Sequence, residues 1–245
     1  MLSDRAISAS RFTTKPLYLQ LRDALAERIA RGEWKPGSAI PNESDLAREF
    51  GVSAGTMRKA LDLMEGEHLL TRRQGRGTFV NDQASDELAV RFNNLRGPDG
   101  ERILAQVKST HITEAIANEQ ERARLQLGPH DRLYRMHRIR QHGGEPFMVE
   151  DVAVPVALFP GLGEGKTISP RIVVLAQEYG ILLGKAEERV SISEADAGVA
   201  EALGLAAGSP VMVLDRVVQT LDGRPVEWRK AWCNLADNHY MAVMV

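Results

Sequence analysis

The stretch "GVSAGTMRKALDLM", residues 51–64, decides how the first third of the chain is read. Ser53 is a helix-capping residue type. Met57, Ala60, Leu61 and Met64 follow at helical spacing, so the pattern predicts a helix that starts after Ser53 and buries that face. Upstream, "PNESDLAREF" (41–50) places Asn42 as a cap with Asp45 three residues on. Leu46 and Phe50 share a face there, and Gly51 suits a left-handed helix end. Further upstream, "KPLYLQLRDALAERIARGEWKPG" (15–37) carries Leu17, Leu21, Leu25 and Ile29 at four-residue spacing. Pro16 suits the first turn of that helix, and Lys35-Pro36-Gly37 stops it. Downstream, "TRRQGRGTFV" (71–80) reads as two short strands around Gln74-Gly75-Arg76. The order is helix, helix–tight turn–helix, then hairpin. It predicts a winged helix-turn-helix over residues 12–80, mostly α with a β-hairpin wing.

A helix pair with a short turn presents the N-terminal half of its second helix to the major groove of DNA. A hairpin tip of Arg and Gly lies against phosphate or probes the minor groove. These rules mark Ser53, Thr56, Arg58 and Lys59, with Arg72, Arg73, Gln74, Gly75 and Arg76, as DNA-contacting candidates. Arg58 has the reach and fork for a guanine edge or a phosphate. Ala54 and Gly55, in the first turn, have little with which to read a base. On pattern alone, a protein-interaction module with the same elements is the alternative. Charge favours DNA: residues 1–80 hold 13 Lys/Arg and 10 Asp/Glu, whereas the remainder holds 18 and 23.

The chain has 245 residues, a length that suits two domains. No apolar run is long enough to span a membrane, and the N-terminal residues lack the apolar core of a signal peptide. The single cysteine, Cys233, excludes an intrachain disulfide and multi-cysteine zinc sites. A cytoplasmic protein is expected, with no metal and no cofactor.

Residues 81–89, opening "NDQASDEL", read as a linker, and 90–245 as a second domain. That domain contains a repeat. "LQLGPHDRLYRMHRIRQHGGEP" (125–146) aligns with "LGLAAGSPVMVLDRVVQTLDGRP" (203–225), pairing Arg138 with Arg216 at an offset of 78. One inserted residue then pairs Pro146 with Pro225. Strands at 107–113 and 186–193 lead into helices at 113–126 and 194–203, and strands at 147–154 and 226–233 close each copy. A further helix is expected at 170–179. Two such units make one antiparallel sheet with helices, an α+β domain.

Arg138 and Arg140, two apart on a strand, share a face, and two guanidiniums suit a carboxylate or phosphate. Glu150 and Glu227, in the strand that closes each copy, are placed to accept hydrogen bonds from an ammonium or hydroxyls. Asn93, in "RFNNLRGPDG" (91–100), is a donor candidate over the ligand. A ladder of surface Arg–Glu pairs is the plainer alternative.

Residues 16–80 resemble the DNA-binding domain of GntR-type bacterial transcription factors, through "G.W.PG..IP.E..LA..FGVS..T.R.AL" and "L..R.GRGTFV". Residues 90–245, with "LGLAAGSPVMVLDRV" and "DGRPVEW", resemble the UTRA effector domain of the histidine-utilisation-repressor (HutC-type) subfamily, related in fold to chorismate lyase. The resemblance implies a ligand-responsive regulator, a repressor, with Arg138, Arg140, Glu150 and Glu227 at the effector. It also implies a homodimer on palindromic half-sites of double-stranded DNA, an anionic small-molecule effector and no catalytic residues. Two departures matter. Ser44 stands where relatives often carry Arg, and Ala54 where they often carry Arg or another polar residue, so an operator different from theirs is expected. Arg171 or Ile172 stands where sugar-phosphate binders often carry Tyr. A metabolic enzyme on the lyase-like fold is the alternative; against it, the chain has no GxSxG elbow and no metal-spaced histidines.

Overall fold

The computed structural model describes residues 15–164 and 168–243. The ends of the expected domains, 12–14 and 244–245, lie outside the described residues. The chain divides into two compact units, Met1–Asn81 and Asp82–Val245.

The first unit contains α1 (Leu17–Ala30), α2 (Glu43–Glu49), α3 (Ala54–Gly66) and the hairpin β1 (Leu70–Arg73) and β2 (Gly77–Val80). The caps fall where residue chemistry placed them. The Asn42 side chain accepts from the Asp45 N–H and Ser53 from the Thr56 N–H. Gly51, at φ +64°, turns the chain between α2 and α3. Met57, Ala60, Leu61 and Met64 are buried together with Leu25 and Leu46. Each of the larger side chains contributes roughly 1.5–3 kcal/mol by leaving water. Pro16 sits one residue earlier than expected, at the N-cap, where its carbonyl accepts from Leu19 and Gln20. Leu17 stays half exposed, so the buried stripe of α1 starts at Leu21. The Ile40 N–H donates to the Thr78 carbonyl, tying the α1–α2 connection to the wing.

The second unit is built on six antiparallel strands. The short β3 (Leu95–Arg96) precedes β4 (Gln106–Ile116), α4 (Glu119–Leu125), β5 (Arg132–His142) and β6 (Glu145–Pro155). Then come α5 (Ile172–Glu178), β7 (Leu183–Glu194), α6 (Ala197–Leu203), β8 (Pro210–Thr220), β9 (Pro225–Cys233) and the short β10 (His239–Tyr240), which pairs with β3. The sheet order is β4-β5-β6-β9-β8-β7. The two copies of the repeat therefore meet at the central β6–β9 pair.

Their correspondence is close. α4 and α6, like β5 and β8, match residue for residue at the offset of 78. Asn118 caps α4, and Asp196 caps α6. The helices end in left-handed residues at matching positions, Gln126 and Gly204. The ladders are offset after Arg140 and after Val218, again 78 apart. One face of the sheet carries α4 and α6 over Leu133, Val149 and Val211. The other packs Met136, Val152 and Val218 against α5.

Three expectations change. The helices start at Glu119 and Ala197, where Asn118 and Asp196 cap them, and β4 and β7 run on as edge strands to Ile116 and Glu194. α5 starts at Ile172, with Pro170 ahead of it. The stretch 81–89, read as a linker, is largely held down. Asp82 accepts from the Gln177 side-chain amide at 3.0 Å, Ala84 donates to Gln177 at 3.2 Å, and Gln83 is buried. Among the described residues, no helix is long and apolar enough to cross a membrane.

At α4, the Asn118 side chain accepts from the Glu121 N–H while Glu121 accepts from the Asn118 N–H. Asn118→Ala should cost about 1 kcal/mol, read as a lower urea midpoint at unchanged slope. An unchanged midpoint contradicts this capping assignment.

Candidate functional site

In the first unit, the face formed by the N-terminal half of α3 and the wing carries the basic candidates. Ser53 and Thr56 hydroxyls lie 2.8 Å apart, so Thr56 completes the helix cap. Arg58 is exposed and held in a two-pronged pair with Glu43, Nη2–Oε1 2.8 Å and Nε–Oε2 3.1 Å. This pair holds its guanidinium above its ordinary pKa, chiefly through the hydrogen bond. An exposed pair of this kind is weak and exchangeable for a phosphate. The Lys59 ammonium lies 4.0 Å from the centre of the Tyr18 ring. Gly55 has open space where a side chain would be.

The wing arginines divide into two groups. In sequence, Arg72, Arg73 and Arg76 have no acid among them, but α3 brings Asp62 and Glu65 to Arg72, at 2.5 and 2.9 Å. Arg72 therefore braces the wing root. Arg73 lies over the Phe79 ring, 4.7 Å from its centroid. Gln74, Gly75 and Arg76 form the exposed tip, and Gly75, at φ +70°, supplies the left-handed turn.

In the second unit, the face of the sheet opposite α4 and α6 carries a buried ionic cluster. Arg138 and Glu150 stand opposite each other on β5 and β6, both almost fully buried. Glu150 Oε1 lies 3.6 Å from Arg138 and 3.7 Å from Arg140, and its Oε2 lies 3.4 Å from Arg229. Arg216 Nη2 donates to Glu227 at 2.8 Å and Nη1 to the Phe92 carbonyl at 2.9 Å. Arg229 also reaches Glu188 at 3.2 Å, and Glu188 accepts from the Tyr240 hydroxyl at 2.9 Å. Burial pushes the Glu150 carboxyl up, but Arg140, Arg229, Arg138 and Arg216 together outweigh it and hold the group below its ordinary value of 4.5. Burial also pulls Arg140 down and pushes the Cys233 thiol, beside the cluster, up to about 12. A thiol with so high a pKa is a buried apolar residue rather than a nucleophile.

A cavity of about 70 Å³ opens beside this cluster. Arg140, Arg171, Arg216 and Arg229 border it, with Phe92, Phe147 and Met148 as apolar wall. Of the five residues expected at the ligand, Arg140 and Asn93 border it. Arg138, Glu150 and Glu227 belong to the cluster behind it. The Asn93 amide is already engaged: it donates to the Ile103 carbonyl at 2.7 Å and accepts from the Leu95 N–H at 3.1 Å. These two bonds fix its side chain in the wall and use one of the two amide N–H donors. Arg171, Arg216, Arg229 and Glu188 were missed. The repeat carried a signal for two of them: Arg216 aligns with Arg138 and, past the one-residue insertion, Arg229 aligns with Glu150. Among the described residues, no group of three or more His, Cys, Asp or Glu could hold a metal ion.

Glu150 supplies the negative charge that four arginines share, so Glu150→Gln should cost roughly 3–5 kcal/mol of stability at neutral pH. Its folded-state pKa is depressed. The stabilisation is therefore complete above the ordinary carboxylate value and is lost as pH falls through the folded one. Urea unfolding should show a constant wild-type advantage from about pH 6 to 8 that shrinks below about pH 4.5. Equal stability of the two proteins at pH 7 would sink the assignment.

The model of the bacterial regulatory proteins, gntR family, matches residues 17–80, and the UTRA domain model matches residues 104–237. The chain is 28% identical over 230 residues to the mannosyl-D-glycerate transport/metabolism system repressor MngR of Escherichia coli, covering 94% of this chain and 96% of that one. It is 29% identical over 148 residues to the histidine utilization repressor of Pseudomonas putida, 59% of each chain. The crystal structure of PhnF from Mycobacterium smegmatis shares the fold at a TM-score of 0.54 and 22% identity, covering 92% of this chain and 99% of that one. A winged helix-turn-helix followed by an effector domain that spans more than half of the sequence places this chain in the UTRA-bearing branch of the GntR family, whose members are DNA-binding transcription regulators and not enzymes.

Proposed function

We propose that the protein is a cytoplasmic homodimeric repressor whose operator affinity is controlled by a small anionic metabolite bound in the second unit. One observation carries the effector half of this reading: the cavity beside the buried cluster is bordered by four arginines and no carboxylate. The named relatives that are repressors support the direction of control. One winged helix buries too little DNA for a selective site, whereas two related by a two-fold axis match a palindromic operator. Ligand acts only through its differential affinity for the DNA-competent and DNA-incompetent arrangements.

On the DNA side, reading falls to Thr56, Arg58 and Lys59. Ala54 contributes a methyl contact, and Gly55 lets the backbone approach a phosphate. Arg58 leaves Glu43 to meet DNA, Gln74, Gly75 and Arg76 grip from the wing tip, and Arg72 and Arg73 hold the wing in shape.

Selection of bound genomic fragments identifies the operator. On it, Arg58→Ala should weaken binding about tenfold or more, the value of a lost guanidinium contact of ~1–3 kcal/mol. Arg76→Ala should weaken binding on all sequences alike and flatten the salt dependence. Unchanged affinity of Arg58→Ala would remove α3 as the reading helix. Failure to recover any bound fragment would remove the regulator reading itself.

A further inference from the structure

The chain enters the second unit at Asp82, and the residues that follow are strapped down on α5. One side chain of α5 grips the start of this strap in two ways. The Gln177 amide donates to Asp82 Oδ1 at 3.0 Å and accepts from the Ala84 N–H at 3.2 Å. Asp82 Oδ1 also accepts from the Ala84 N–H at 3.0 Å, which closes a tight turn on the same oxygen. Gln83, between them, is buried and accepts from Arg91 Nη1 at 2.7 Å. Arg91 Nη2 donates to the Leu183 carbonyl, at the start of β7, at 2.9 Å. The single helical turn Leu88–Val90 packs against α5.

The strapped state carries a cost. Arg91 is met by two neutral acceptors, and its Nε is buried with no hydrogen-bond partner among the described residues. Burial, with no carboxylate to offset it, pulls the guanidinium down to about 10. Lifting the strap returns this cation to water, so the closed form is poised to open. The strap and α5 also share the cavity. Ala89, Val90 and Phe92 border it from the strap, and Ile172 and Val173 from the start of α5. Val173 and Gln177 lie four residues apart on one face of α5, about 6 Å along its axis. A shift at the cavity end of α5 therefore shifts the grip on Asp82.

We propose that Gln177 is a catch: it clasps residues 82–84 onto α5, and an occupant of the cavity that displaces the start of α5 opens it. This rests on the effector reading above and names how that site reports to the DNA-binding unit. Opening frees about three residues, roughly 10 Å of chain, between the two units. In a dimer, a longer tether lowers the effective concentration of the second reading head at its half-site once the first is bound. The clasped form is therefore the DNA-binding form and the open form the released one. The occupant acts through its differential affinity for the two. A segment that only connects two domains needs neither a two-way amide grip nor a buried arginine.

The test uses the full chain, read by hydrogen exchange of the strap, by melting temperature and by affinity for the operator recovered from genomic fragments. Gln177→Glu sets a carboxylate against Asp82 in place of the amide donor. Exchange of the Ala84 amide should rise about tenfold, the worth of a lost charge-assisted hydrogen bond. Operator should bind about fivefold more weakly or worse, while the melting temperature is kept. Combining Asp82→Asn with Gln177→Glu exchanges donor and acceptor and should restore both readouts, which a general loss of packing does not. Val173→Ala, at the cavity end of α5, should also loosen the strap. Val199→Ala, an equal deletion under α6 on the other face of the sheet, should not. If Gln177→Glu fails to fold, Asp82→Ala removes the acceptor and takes its place. Unchanged Ala84 exchange in Gln177→Glu, no rescue in the double variant, or equal strap exchange in the two Val→Ala variants overturns the proposal. A wild-type chain that binds no operator removes the regulator reading and the catch with it. A wild type that binds it, with a freed strap that binds it equally well, removes the catch alone.

Discussion

Arg216 and Arg229 stand opposite each other inside a sheet, and much of the second unit is arranged around holding them there. Both are guanidinium cations, so their charge must be met by placement. Glu227 meets Arg216, while Glu188 and Glu150 meet Arg229. The same groups tie in the rest of the site. Arg216 holds the Phe92 carbonyl, fixing the segment that walls the cavity. Glu188 holds Tyr240, and Tyr240 accepts from Asn94, fastening that segment again beside the β3–β10 pair. The charge pattern that suits a ligand is therefore also the pattern that builds the wall of its cavity.

The duplicated scaffold explains how such a site arises. Matching caps, helix ends and ladder offsets give each half of the sheet the same backbone. Two equal halves put the same side-chain position on the same face at both ends of the central strand pair. Substituting Arg for Glu at one of the two equivalent positions, Glu150 and Arg229, breaks the symmetry of charge and keeps the fold. What the protein binds is then set by where the copies differ, and how it folds by where they agree.

The first unit was legible because its signals are local. Ser53, Asn42 and Gly51 act within a few residues of themselves, and the buried face of α3 recurs inside one helix. The repeat likewise gave the strand pairs of each copy. What sequence could not show were contacts between distant segments. Glu188 and Arg229 are 41 residues apart and meet only because β8 lies between their strands. Arg72 read as a free cation because Asp62 and Glu65 precede the turn that brings them to it. The bond from Asn93 to the Ile103 carbonyl likewise forms only when the loop closes. The stretch 81–89 read as a linker because it is polar and acidic, while Gln177, which holds Asp82 and the Ala84 N–H, lies far along the chain.

The central claim is that the arginines bordering the cavity of the second unit hold the effector's charge. A crystal structure of the full chain grown with succinate or inorganic phosphate tests it most directly. The account predicts the anion between Arg140, Arg171, Arg216 and Arg229, with the Nε hydrogens of the buried arginines donating to its oxygens. An anion bound instead on the opposite face of the sheet, or a cavity that stays empty at saturating anion, would contradict it.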